Sequence, residues 1–222
     1  MRIRAFIIGC CVLLAPLAGI AASAGAQAGL IKVNGAIGPA TSGYIARAIK
    51  VAERRGDSCL VIQLDTPGGL LESTKEIVQS LYASTVPTAV FVAPEGANAG
   101  SAGCFITLAA DIAAMAPNTS IGAAHPVALG GGGGGGEGGT DQTMKTKMEN
   151  FAASFIESIA QKRQRNIEWA RSSVVESASI TATRALELKV IDLIAADVPD
   201  LLRQLDGRTV NGHVLTTRDA QV

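Results

Sequence analysis

The chain has no surplus of charge. Its 19 basic residues balance 19 acidic ones over 222 residues, and the two signs are mixed along its length. A nucleic-acid binder carries a basic face, so this balance gives no sign of such a partner. Metal-binding side chains are scarce as well. Of the four cysteines, Cys10 and Cys11 stand in the N-terminal apolar run, leaving Cys59 and Cys104; the two histidines are His125 and His213. None of these has metal-ligand spacing, so no metal site is expected. Cys59 and Cys104 lie in apolar contexts and read as buried thiols, with one disulfide as the alternative in an oxidising compartment. His213 sits in a polar stretch and reads as solvent exposed. Beyond residue 28 no run reaches the roughly 18 apolar residues of a membrane-spanning helix. No internal repeat of solenoid length is present.

What is there begins with an export signal. Arg2 and Arg4 form a short positive region, Ala5–Ile20 an apolar stretch, and Ala26-Gln27-Ala28 a small-residue cleavage site. The expectation is cleavage after Ala28 and a mature chain on the periplasmic or extracytoplasmic side of a membrane; an uncleaved anchor is the alternative. Residues 29–222 are long enough for one domain with a full core, and no later membrane span or β-barrel domain is expected.

Apolar runs alternate with amphipathic ones, which predicts an α/β fold. Strands are expected at Leu30–Ile37, Cys59–Leu64, Thr88–Ala93, Ile112–Ala116 and Val190–Ala195, with another restarting in Asn118–Gly122. Helices are expected at Ser42–Arg55, Leu70–Ala83, after Ser101, and at Gln142–Lys162, Glu168–Val175, Thr181–Leu188 and Val198–Leu205. Strand and helix in alternation favour parallel pairing through crossovers. Gly130–Gly139 holds nine glycines and Glu137; it has no apolar surface to bury and is expected to be a flexible loop. No Gly-Lys-Ser/Thr follows, so it is no phosphate loop. Lys162, Arg163 and Arg165 end a helix, where cations offset the dipole.

Two windows carry chemistry. GANAGSAGCFITLAAD, Gly96–Asp111, places Ser101 between Gly100 and Ala102-Gly103, after a strand and at the head of an apolar helix. A hydroxyl on such a turn, beside free helix-start amides, meets the needs of a nucleophile. Alone, the same pattern fits a helix cap or a packing residue. LDTPGG, Leu64–Gly69, follows a buried strand and precedes a helix. Pro67 fixes one φ, and Gly68-Gly69 open conformations closed to other residues, with amides suited to an oxyanion. Asp65 reads as an organiser of that turn. Cys104 lies one helical turn beyond Ser101, in a setting that favours packing.

Taken in order, LDTPGG, GSAGCFITLAAD, MAPNTSIGAAHP (Met115–Pro126) and ITATRALELKVID (Ile180–Asp192) closely resemble the NfeD family, membrane-associated serine proteases of the ClpP class. The resemblance covers nearly all of the chain beyond the leader. It implies a ClpP/crotonase-like fold and a Ser–Lys dyad, with Ser101 as nucleophile and Lys147 as base. It places Gly68 and Gly69 at the oxyanion hole; the Ala102 amide, next after Ser101, is expected to join them. It also implies a stomatin-like membrane protein as substrate, cut within an apolar segment, and assembly as a homodimer or larger homo-oligomer. No cofactor is needed. The chain departs from the family at the glycine tract. It departs again at Lys189, where related sequences often carry glycine after the helix, so a strained helix exit is expected.

Helical periodicity does not choose the base. At roughly 100° per residue, Lys145 and Lys147 flank the apolar stripe at similar angles. A lysine base must be held neutral, which burial favours. His125 is a rival base or accessory residue of the cleft wall; the resemblance places Ala124 at the ClpP histidine position. Two other readings share these features. One is a non-catalytic scaffold that binds stomatin-like proteins. The other is a crotonase-type acyl-CoA enzyme, which the export signal disfavours because coenzyme A is cytosolic.

Overall fold

The computed structural model describes residues 26–127 and 139–222. The apolar run Ala5–Ile20 and the glycine tract up to Gly138 lie outside these residues. The chain runs β1 (Gly29–Asn34), α1 (Pro39–Arg55), β2 (Leu60–Asp65), α2 (Leu71–Ala83), β3 (Thr88–Val92), β4 (Asn98–Gly100) and α3 (Ala102–Ala109). It continues through β5 (Ile112–Met115), β6 (Ser120–Gly122), α4 (Gly139–Lys162), α5 (Ile167–Val175), β7 (Ser179–Thr181) and α6 (Ala182–Glu187). It ends with β8 (Leu193–Ile194), α7 (Val198–Leu205), β9 (Thr209–Val210) and β10 (His213–Val214).

Five strands form the main sheet in the order β1-β2-β3-β5-β8, all parallel. Each crossover adds its strand on the same side of the growing sheet. A second sheet, β4-β6-β7, pairs β4 with β6 in parallel and β6 with β7 antiparallel. Of this sheet only β6 was expected, as the strand restarting in Asn118–Gly122; β4 and β7 were not, because three-residue strands carry no readable period. The β9–β10 hairpin was not expected either.

Local sequence sets the helix ends. Pro39 opens α1 where no amide donor is needed, and Gly56 closes it at φ +68°, a left-handed conformation natural to glycine. α3 is apolar on every side, and all its residues are buried. Such a helix belongs inside a core; Ile106 and Leu108 are fully covered. On one face of the main sheet, α1 to α4 bury Ile45, Ile77, Ile106 and Ile156. On the other face, α7 and the C-terminal tail cover Val61, Phe91 and Ala114 with Leu201, Leu205 and Leu215. The thiols of Cys59 and Cys104 are free and buried. Burial pushes each up to about 12, so both are inert packing groups. Lys189 takes φ +58° at the exit of α6, the strained exit expected there.

Arg163 and Arg165 do not serve their own helix end. Arg163 Nε donates to Ala109 O at 2.7 Å, and its Nη1 pairs with Asp111 Oδ1 at 2.6 Å. Arg165 Nη1 donates to Leu108 O at 2.6 Å and Ala110 O at 3.0 Å, and its Nη2 pairs with Asp192 Oδ2 at 2.7 Å. Both guanidinium groups therefore cap the C-terminus of α3, the helix that Ser101 opens. Burial lowers the pKa of Arg165, while Asp192 opposes the shift. Arg165→Ala would strand two carbonyls and remove the ion partner of Asp192, whose partly exposed carboxylate still accepts the Ala113 amide at 2.7 Å. The expected cost is about 2–4 kcal/mol, mainly from the two buried acceptors, read as a lower urea midpoint.

Candidate active site

The site lies at the carboxyl ends of the main-sheet strands, where open α/β sheets place their ligands. After β2 the chain turns through Thr66-Pro67-Gly68-Gly69. This turn is stitched to β4: Thr66 N–H donates to Asn98 O at 2.8 Å, and Gly100 N–H donates to Thr66 O at 3.0 Å. Asp65 Oδ1 accepts the Asn98 amide at 3.0 Å, which gives Asp65 the organising part expected of it. β4 then delivers Ser101.

Ser101 sits at φ +49°, ψ −112°, a conformation few side-chain-bearing residues adopt. Its amide is held by Gly122 O at 3.0 Å, and its carbonyl accepts the Cys104 amide at 2.9 Å. The side chain makes no capping hydrogen bond to α3. Strain is thus used to present the hydroxyl rather than to satisfy the helix. The neighbouring turn comes close: a side-chain carbon built on Gly68 would lie 2.6 Å from Ser101 Cβ, and Gly68 itself takes φ +123°. α3 packs as closely against the turn, since a carbon on Gly103 would lie 2.6 Å from Thr66 Cγ2.

The two glycines face different ways. Gly68 N–H donates to Thr66 Oγ1 at 3.0 Å, and Gly68 O accepts the Ile37 amide at 2.8 Å. Gly69 forms a parallel bridge with Ile37, in which Ile37 O takes the Leu70 amide at 2.9 Å. In such a bridge the central residue's own N–H points away from the partner strand. The Gly69 amide is therefore turned outward, and Gly69 lines the cleft beside Ser101. Ala102, first residue of α3, also lines the cleft, and its amide has no acceptor within the helix. The Gly68 amide is thus engaged by Thr66, whereas Gly69 and Ala102 border the cleft with amides that face it. Thr66, which fixes the Gly68 amide, was missed in the sequence. The signal was available, because a threonine ahead of Pro-Gly-Gly is a turn-forming hydroxyl.

The cleft is about 820 Å³ and largely apolar, with Leu71, Phe105, Pro126 and Met148 in its walls. His125 also lines it. His125 Nδ1 stands 2.9 Å from Val174 O, and a carbonyl only accepts, so Nδ1 is the donor in this contact. Lys145 and Lys147 are both exposed on α4, and the geometry does not choose between them. Among the described residues no side chain hydrogen-bonds Ser101 Oγ. Met148 places the turn that carries Lys147 at the edge of the cleft.

The described residues include no cluster of three or more metal-ligating side chains and no helix long and apolar enough to cross a membrane. The model of the NfeD1b N-terminal domain matches residues 28–206. The membrane-bound protease PH1510 of Pyrococcus horikoshii is 35% identical over 189 residues, which are 83% of this chain and 42% of that protein. The chain therefore spans less than half the length of this curated relative. A serine-to-alanine mutant of the 1510-N membrane-bound stomatin-specific protease superposes with a TM-score of 0.80 at 32% identity, covering 90% of this chain and 97% of the other. A lysine-to-alanine mutant of 1510-N, in complex with a substrate peptide, gives 0.79 at 31% identity, covering 90% and 91%. The mostly parallel α/β architecture is that of a ClpP-like fold. With the family match running over most of its length, the chain belongs to the NfeD1b N-terminal domain family.

Proposed function

We propose that this chain is an exported serine endopeptidase that cuts apolar segments of a stomatin-like membrane protein with a Ser–Lys dyad. The observation that carries this reading is Ser101 on its strained turn, facing a cleft with the outward amides of Gly69 and Ala102. Ser101 Oγ attacks the peptide carbonyl carbon and passes its proton to the neutral amine of Lys147. The carbonyl oxygen, now an oxyanion, is held by the Gly69 and Ala102 amides. Collapse of the intermediate expels the amine product, which takes its proton from Lys147. Water, activated by the same amine, then hydrolyses the acyl-enzyme. The apolar walls of the cleft suit an apolar segment. The exposed position of Lys147 fits a base that is desolvated when substrate covers it. Assembly as a homodimer or larger oligomer is part of the same reading.

The test is labelling of the purified chain with a fluorophosphonate probe, together with incubation against a stomatin-like protein and a panel of apolar peptides. Labelling at Ser101 with cleavage is expected. Retained binding without labelling or cleavage would establish the scaffold reading instead.

Gly68 gives a separate expectation. An alanine there meets Ser101 Cβ at 2.6 Å and must adopt φ +123°. Gly68→Ala is expected to displace the nucleophile and lower kcat by about 10²-fold, comparable with loss of an oxyanion donor. KM should change far less. Steady-state kinetics on a peptide substrate checks this; a normal kcat with weakened binding would remove Gly68 from the catalytic turn.

A further inference from the structure

We infer that residues 26–28 are a permanent part of the folded protein, so that the peptidase removing the leader cuts upstream of Ala26 and not after Ala28. The identity of the cutting enzyme rests on the exported reading above; the structural role of the three residues does not.

Ala28 is 1% exposed and packs in the lower core with Leu215 of the tail. Gln27 forms a parallel bridge with Gln221. Ala28 N–H donates to Gln221 O at 2.9 Å, and Gln221 N–H donates to Ala26 O at 3.0 Å. On the other side, Ser58 N–H donates to Gln27 O at 2.8 Å. Three residues thus tie the approach to β2 to the C-terminal tail. The tail is itself anchored: Thr217 is buried, its Oγ1 donates to Leu202 O at 2.7 Å, and its amide donates to Asp206 Oδ1 at 2.9 Å. A cut after Ala28 removes the acceptors of Ser58 and Gln221, removes the donor to Gln221, and empties the place of the Ala28 methyl.

The sequence offers a second small-residue triplet, Ala22-Ser23-Ala24. Hydrolysis of the Ala24–Gly25 bond adds one water, leaves a carboxyl on Ala24 and an amine on Gly25, and keeps residues 26–28 in the product.

A buried carboxylate beside Gly29 favours the opposite outcome. Gly29 stands against Asp57, since a carbon built on it would lie 2.9 Å from Asp57 Oδ2. The Asp57 carboxylate is buried without a hydrogen-bond donor among the described residues, although Arg55 Nε stands 3.1 Å from Oδ1. An ammonium freed at Gly29 would find a charge partner there.

The experiment has two arms. In the first, the full chain is expressed with its leader, recovered from outside the cytoplasm and sequenced from its N-terminus. Gly25, or any start up to Ala26, is expected; a start at Gly29 overturns the inference. A chain still beginning at Met1 keeps residues 26–28 in the fold but overturns the cut upstream of Ala26, and the cleaved-leader reading with it. In the second arm, chains beginning at Gly25 and at Gly29 are made directly, each with and without Gln221-Val222. The shorter start is expected to lower Tm by roughly 5–10 °C, from lost hydrogen bonds and packing. Deleting Gln221-Val222 is expected to lower Tm in the Gly25 chain and to change it little in the Gly29 chain, because the coupled partners are already gone. A Gly29 chain at least as stable as the Gly25 chain overturns the inference. If Asp57→Asn then abolished that stability, the Gly29 ammonium would be the partner of Asp57.

Discussion

Ser101→Ala is expected to abolish peptide cleavage, by roughly 10⁴–10⁶-fold in kcat, while leaving the fold intact. The size follows from the role. Without Oγ no acyl-enzyme forms, and only the oxyanion amides and substrate binding remain. The intact fold follows from the geometry. Ser101 Oγ makes no capping bond to α3, so the alanine loses no hydrogen bond. The Gly122 carbonyl still holds the amide of residue 101 at 3.0 Å, and alanine bears the same φ +49° strain as serine. The thermal midpoint should therefore stay within a degree or two, and fluorophosphonate labelling should vanish. Wild-type turnover in the alanine variant would end the assignment of Ser101. A collapsed midpoint would mean that the hydroxyl has a structural part that this geometry does not contain.

Lys147→Ala is expected to lower kcat by about 10²–10⁴-fold, the usual loss on removing a general base. Lys145→Ala should change it little, and His125→Ala should have a small or intermediate effect. The neutral amine is the active form, so kcat of the wild type should rise towards alkaline pH. That rise should disappear in Lys147→Ala and persist in His125→Ala. The variants separate histidine from lysine by element, and the two lysines by position along one helix. Lys145 and Lys147 are carried on α4, whereas His125 is tied through Nδ1 to Val174 O on α5. A severe defect in His125→Ala beside near-normal Lys147→Ala turnover would make His125 the base. A severe defect in Lys145→Ala alone would move the base by two residues along α4.

Much of the fold was legible because the sequence alternates clearly. CLVIQL and TAVFVA are apolar runs of strand length, and each is followed by a helical period. A parallel sheet joined by crossovers is the simplest packing of that order, and it is the one observed. The β4-β6-β7 sheet was legible only at β6, since β4 and β7 are three-residue strands defined by their partners. Arg163 and Arg165 were misplaced for a related reason. Proximity along the chain suggested the end of their own helix, whereas their acceptors lie more than fifty residues away on α3.

The sequence by itself determined the order of the main-sheet strands and the helices and the turn that carries Ser101. It also determined the pair of glycines opposite that turn. These are local properties: apolar period, backbone freedom at glycine, and the fixed φ of proline. Only the tertiary structure decided which glycine amide is available, since the outward turn of Gly69 depends on Ile37, and the engagement of Gly68 depends on Thr66 and Ile37. It also paired residues 26–28 with Ser58 and Gln221. An amide's direction is set by the segment it pairs with, and that segment is distant in sequence for Ile37 and Gln221 alike.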